Sequence, residues 1–265
     1  MTTDGQHWTR EQLATLRGGG YSPAAVGRFL LASQRRANQV RAARPELARQ
    51  AQRWCAAGAV AWAAPLPSVR RRRRAGLLWW CACALMLDWH LGMVETEEGR
   101  PRPLGPADAL TLARAWLVPL AWQRPDALTC ALAGVCDVLD GPLARLGEPT
   151  RAGHDFDRIA DVCFATASLR GAGRHGLLEG WAQGAETLWL AVGLASGLHA
   201  YFAQLEAPDR VLVHAARALV PARVSGRILA GAGQRRAGSA LVGGGAALSA
   251  ALAAGALARG ARLAS

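Results

Sequence analysis

Apolar residues along this chain gather into long blocks separated by short runs rich in Arg, Gly or Pro. The blocks fall at 75–94, 106–122, 126–139, 159–173, 185–203 and 238–258. None shows the strict alternation of a half-buried strand, and each is long enough for several helical turns. A helix needs about 20 predominantly apolar residues to cross the hydrocarbon of a bilayer. The blocks at 185–203 and 238–258 approach that length, and the latter (GSALVGGGAALSAALAAGALA) contains no charge. Its small residues suit close helix packing in lipid. The pattern predicts an all-α protein, a polytopic membrane bundle of about five or six core helices. A soluble Ala-rich bundle is the competing reading, because several blocks carry an internal Arg or Asp. Upstream, 22–43 (SPAAVGRFLLASQRRANQVRAA) reads as an amphipathic helix with Ser22 as N-cap and Pro23 in its first turn. Its Phe29, Leu30 and Val40 face either lipid headgroups or another helix. The first 50 residues lack the apolar stretch of a signal peptide.

Charge divides the chain. The 265 residues carry a net charge of +12, and all 31 basic residues are Arg. Residues 1–74 hold 14 Arg against Asp4, Glu11 and Glu46, a net +11, which leaves +1 for the remaining 191. A basic arm of this kind implies an anionic partner, either nucleic acid or the anionic face of a membrane. The apolar blocks that follow favour the membrane, and the run Arg70–Arg74 before the first block marks a cytoplasmic boundary. The chain divides into a basic, partly helical cytoplasmic arm (1–74), an interfacial or extra membrane helix with its linker (75–102) and a membrane domain (103–265). Half the residues are apolar, which excludes disorder throughout. Six Cys are too few for a disulfide scaffold.

The chemistry concentrates in 137–161, DVLDGPLARLGEPTRAGHDFDRIAD. Four carboxylates, Asp137, Asp140, Asp157 and Asp161, lie next to or inside apolar blocks, where acids are costly and mark function. Asp137, Asp140, Gly141 and Ala144 share about a third of one helix's circumference. Asp157 and Asp161, four apart, share a face of the next helix. Gly147, Pro149 and Gly153 let the chain reverse between them. Acids brought together in this way need a cation, and oxygen-only ligands favour Mg²⁺, Mn²⁺ or Ca²⁺ over zinc. Four Asp suffice for two divalent ions clamping a phosphoryl displacement. Gly141 and Ala144 leave room for a ligand, and Arg145 offers a bidentate donor to phosphate. The alternative is a set of membrane-boundary acids paired with Arg145, Arg151 and Arg158.

The pattern D-x-x-D-G-x-x-A-R followed by G-x-x-x-D-x-x-x-D resembles the signature of the CDP-alcohol phosphatidyltransferase family. It is met here by Asp137, Asp140, Gly141, Ala144, Arg145, Gly153, Asp157 and Asp161. Seven residues separate Arg145 from Gly153, where eight is common in the family. Upstream, GPADALTLARAWLVP is similar to the family's first core helix, with Thr111 and Arg114 in matching places and Asp108 where Asn is usual. The resemblance covers roughly 103–258.

What the resemblance implies is an integral-membrane homodimer with its active site at the cytoplasmic face of the cell membrane. Two metal ions, Mg²⁺ or Mn²⁺, are implied at Asp137, Asp140, Asp157 and Asp161, with Asp161 also the general base. Gly141, Ala144, Arg145, Gly153, Thr111 and Arg114 are implied on the CDP side. The implied reaction is transfer of a phosphatidyl group from CDP-diacylglycerol, or a similar CDP-alcohol lipid, to an acceptor hydroxyl with release of CMP, in phospholipid biosynthesis. A CDP-linked small alcohol donating to diacylglycerol is the alternative within the family. A non-catalytic membrane protein with a lipid- or nucleic-acid-binding arm is the alternative outside it. We expect membrane lipids, not nucleic acid, as the partner of the arm.

Weaker features complete the reading. Arg217, Arg223 and Arg227 are candidates for an acceptor phosphate, with an ordinary positive-inside loop as the competing assignment. His154 reads as a solvated loop residue. Cys130, Cys136 and Cys163 read as packing residues, and Trp79, Trp80, Trp89 and Trp181 as interfacial anchors. The block 75–94 reads as interfacial or re-entrant: as a span it would put Arg70–Arg74 opposite the cytoplasmic start of 106–122, and Asp88 and His90 interrupt it.

Overall fold

The computed structural model describes residues 4–64, 67–203 and 219–263, and all of its regular elements are helical. In chain order they are α1 (Asp4–Gly18), α2 (Pro23–Ala43), α3 (Pro45–Ala63), the single turn α4 (Pro67–Arg70) and α5 (Arg73–His90). There follow α6 (Pro106–Gln123), α7 (Ala127–Gly147), α8 (Arg151–Arg174), α9 (Gly180–Ala203), α10 (Val220–Gly231) and α11 (Arg235–Leu263). Ser22 caps α2 as the sequence predicts: it is extended, its Oγ accepts the Ala25 N–H, and Pro23 fills the first turn. The chain gathers into two compact units, Met1–Pro119 with Cys136–Asp161, and Leu120–Val135 with Val162–Ser265.

In the first unit the N-terminal helices fold against α5. Val40 of α2, Leu47 and Ala51 of α3, and Leu87 of α5 share a core with Leu91, Val94, Leu104 and Ala152. Helices α3 and α5 interlock through two reciprocal Gly–Trp contacts, each pair one helical turn apart in sequence. A Cβ on Gly58 would lie 2.2 Å from the Trp80 ring, and one on Gly76 would lie 2.1 Å from the Trp62 ring. The missing side chains let each indole lie on the opposing backbone, and burying such large side chains is worth about 1.5–3 kcal/mol apiece. Polar groups fix the register. Trp80 Nε1 donates to Cys55 O at 2.7 Å, Trp89 Nε1 to Gln34 Oε1 at 2.9 Å, and Asp88 pairs with Arg41. Trp80 is buried and Trp79 and Trp89 are half-buried, so these three pack within the unit, whereas Trp181 is exposed. Arg44, between α2 and α3, donates to Val94 O at 3.1 Å and Arg102 O at 2.6 Å. Burial pushes its guanidinium below the usual arginine range despite nearby Glu95. Gln50 binds both the N–H and the C=O of Leu104, at 3.0 and 2.8 Å.

The second unit is built on small residues. Its core holds Ala172, Leu178, Ala230 and Val242. A Cβ on Gly226 of α10 would lie 2.9 Å from Gly238 O of α11, so these backbones approach as closely as glycine permits. Among the described residues, two helical stretches are long and apolar enough to cross a membrane, Ala127–Gly147 and Arg235–Ala254. On α7, Leu128, Leu132, Val135, Val138 and Leu139 form an exposed apolar stripe, which fits a helix whose solvent is lipid.

Candidate active site

Three helices of the first unit supply the site. Arg114 stands on α6, Asp137 and Asp140 on the second half of α7, and Asp157 and Asp161 on the first half of α8. The turn between α7 and α8 is only residues 148–150. Its brevity leaves Glu148 in a left-handed conformation with φ of 59°, costly for a side chain with a Cβ. Arg102 and Arg100 hold that carboxylate at 2.9 and 3.3 Å. Thr150 Oγ1 then accepts the Gly153 N–H at 3.0 Å and opens α8. The seven residues between Arg145 and Gly153 thus comprise this turn and the helix ends that flank it.

The four acids converge on one guanidinium. Arg114 Nη1 lies 2.8 Å from Asp137 Oδ1 and 3.0 Å from Asp161 Oδ1. Its Nη2 lies 3.1 Å from Asp140 Oδ2 and also pairs with Asp157. The Arg114 side chain is 2% exposed, whereas that of Asp161 is 47% exposed, so the cation is sealed beneath carboxylates that reach outward. The partner of these acids is therefore Arg114, not the Arg145, Arg151 or Arg158 of the structural alternative.

Four carboxylates against one guanidinium leave the cluster three positive charges short when all are ionised. Asp140 Oδ2 is buried and meets Arg114 Nη2 as an ion pair at 3.1 Å without a hydrogen bond of its own. Among the described residues no three His, Cys, Asp or Glu side chains are set at metal-binding spacing. The donor chemistry nevertheless suits hard divalent cations, being all oxygen and short of positive charge. Asp137, Asp140, Asp157 and Asp161 are the residues that could hold them.

The remaining candidates surround this cluster unequally. Thr111, one turn before Arg114, is buried and donates to Ala107 O at 3.2 Å. Gly141 is open: a Cβ there would stand 3.5 Å from a guanidinium nitrogen of Arg145, which is exposed. Ala144 is half-buried on the same helix. At Gly153 a Cβ would lie 2.8 Å from Asp108 Oδ1, so a larger residue there would displace that carboxylate. Asp108 in turn accepts the Gly105 N–H at 2.7 Å and so caps α6, a role open to the Asn it replaces.

Arg223 and Arg227 lie in the second unit and engage Glu186. Arg223 makes a bidentate pair, Nε to Oε2 at 3.0 Å and Nη2 to Oε1 at 2.7 Å, and Arg227 joins at Oε1. The Glu186 side chain is fully buried. Arg217 lies outside the described residues. Sequence reasoning missed Glu186, although a single acid inside an apolar block, opposite two Arg spaced four apart, is a readable signal.

The sequence model of the CDP-alcohol phosphatidyltransferase family matches residues 106–232, a span that contains every candidate residue named above. No curated protein and no solved structure matches the chain at a significant level.

Proposed function

We propose, from the match of residues 106–232 to the CDP-alcohol phosphatidyltransferase family model, that the chain transfers a phosphatidyl group from CDP-diacylglycerol to an acceptor hydroxyl. Family members pass a phosphate-bearing group from a CDP-alcohol to an alcohol acceptor and are generally dependent on divalent metal. The observation that carries the reading is the convergence of the four signature acids, drawn from two helices, on a single buried cation. A protein that merely bound anionic lipid through its arm would have no use for them.

Asp137, Asp140 and Asp157 are the proposed metal ligands, with Asp161 beside them. Mg²⁺ or Mn²⁺ held there would offset the diphosphate charge and stabilise CMP as leaving group. Asp161, the most exposed of the four, is placed to accept a proton from an incoming hydroxyl. The hydroxyl oxygen forms a bond to the phosphorus that carries the lipid alcohol. The bond from that phosphorus to the CMP oxygen breaks, CMP leaves with the electron pair, and the proton passes to Asp161. Gly141 and Ala144 leave α7 open to the nucleotide, and exposed Arg145 offers its phosphates a fork of donors. Arg114 fixes the acids in place and neutralises one of their charges.

The chain is proposed to sit in the cell membrane as a helical bundle, with the site at its cytoplasmic face. Two apolar helices and the exposed stripe on α7 support this. On α2, Val26, Leu30 and Leu31 are exposed together with Arg28 and Arg35, a mixed apolar and basic surface suited to an anionic leaflet. The test is CMP release from CDP-diacylglycerol in vesicles containing the purified protein. Release that requires Mg²⁺ or Mn²⁺, stops with chelator and resumes on adding metal back is expected. No release with glycerol phosphate, inositol phosphate or serine as acceptor would defeat the reading.

A further inference from the structure

Helix α6 carries an internal proline, Pro119. Proline has no N–H, so the carbonyl four residues earlier, that of Ala115, lacks its usual helical donor. Prolines are tolerated in membrane helices where a neighbouring group satisfies the freed carbonyl. Here Trp79 of α5 does so: its Nε1 donates to Ala115 O at 2.8 Å. Ala115 follows Arg114 directly, and the next residue is also held from outside α6. Trp116 Nε1 donates to Gly58 O of α3 at 3.1 Å, and its ring lies 4.7 Å from that of Trp62. The two residues after Arg114 are thus fixed, one through its backbone and one through its side chain, by helices that lie outside the family match.

From this geometry we infer that Trp79 is a positioning residue: by capping the carbonyl that Pro119 leaves open, it sets the backbone from which Arg114 reaches the four acids. The N-terminal helices are then part of the site's support as well as a basic extension. An α6 free to shift at Ala115 would carry a sealed guanidinium with it and alter the spacing of the acids. Misplacement of reacting groups acts on the chemical step more than on substrate binding.

The test is a double-mutant cycle of Trp79→Phe and Pro119→Ala in the full chain, reconstituted with CDP-diacylglycerol and Mn²⁺. Its kinetic readout rests on the transferase reading above. Trp79→Phe keeps the ring and loses the donor. It should lower kcat for CMP release about tenfold, with KM for CDP-diacylglycerol changed less than about twofold. In the Pro119→Ala background the residue at 119 regains an N–H for Ala115 O, so the same Trp79→Phe change should cost less than about twofold. Comparing Trp79→Phe within each background cancels any effect of Pro119→Ala itself. Equal costs in the two backgrounds, or no loss of kcat in the first, would overturn the inference. Thermal unfolding midpoints of the four proteins in detergent provide the same cycle without catalysis. If the unaltered protein releases no CMP, the transferase reading fails, while the unfolding cycle still decides whether Trp79 acts through Ala115. Should Trp79→Phe fail to fold, rescue by Pro119→Ala supports the inference and failure of both contradicts it.

Discussion

Arg114 concentrates the electrostatics of the site. Its guanidinium is 2% exposed and faces four carboxylates, so removing it leaves crowded negative charge, around the nearly buried Asp140 above all, without its counterion. Loss of one partner of a fully buried pair costs about 3–5 kcal/mol, and the partial exposure of these acids brings the cost below that range. Arg114→Ala is therefore expected to lower the unfolding midpoint in detergent sharply. Added Mn²⁺ should then raise the midpoint more in the variant than in the unaltered protein, because the same acids gain a replacement cation. An equal response in both would argue that the acids do not hold metal. The acids themselves were legible from their spacing, since helical periodicity alone puts each pair on one face. The role of Arg114 was not. A sequence places an Arg on a helix of the bundle, but which carboxylates close around it depends on how three helices cross.

At the scale of elements, the Gly–Trp interlock of α3 and α5 is the most sensitive contact. Gly58→Ala puts a methyl group 2.2 Å from the Trp80 ring, and overpacking of this kind costs about 1–3 kcal/mol. Gly27→Ala on α2, where nothing lies within 4 Å, should instead be neutral or stabilise by about 0.5–1 kcal/mol. Unfolding of the two variants side by side checks this, and equal effects would deny the interlock its role. The start of α2 could be read from Ser22 and Pro23, because capping is local chemistry. The packing of α3 could not: its Ala- and Arg-rich face shows a partner only when Trp62 and Trp80 are seen against glycines on the opposing helix. The four tryptophans singled out in sequence have the composition of an interfacial belt, yet three of them donate within the first unit. Only a partner list separates those two uses of an indole.

For the whole molecule, the +11 of residues 1–74 sits in the same compact unit as α5, so sidedness follows for both together. Helix α5 spends its apolar face on α2 and α3 and pairs Asp88 with Arg41, which is poor conduct for a membrane span. Single cysteines placed at 68 and 98 in a cysteine-free background should react with an impermeant reagent from the same side. Reaction from opposite sides would make α5 a crossing helix. The charge split and apolar blocks were plain in the sequence, whereas the division into two units arises from contacts distant along the chain.

The central claim is that the four acids around Arg114 perform metal-dependent transfer, and one comparison tests it most directly. CMP release from CDP-diacylglycerol is measured with Mn²⁺ for the unaltered protein and for Asp161→Asn, each checked for folding in detergent. The unaltered protein should release CMP, and the folded variant should lose at least about 10²-fold of that rate, the scale of a missing general base. A folded Asp161→Asn that releases CMP at the full rate would contradict the account.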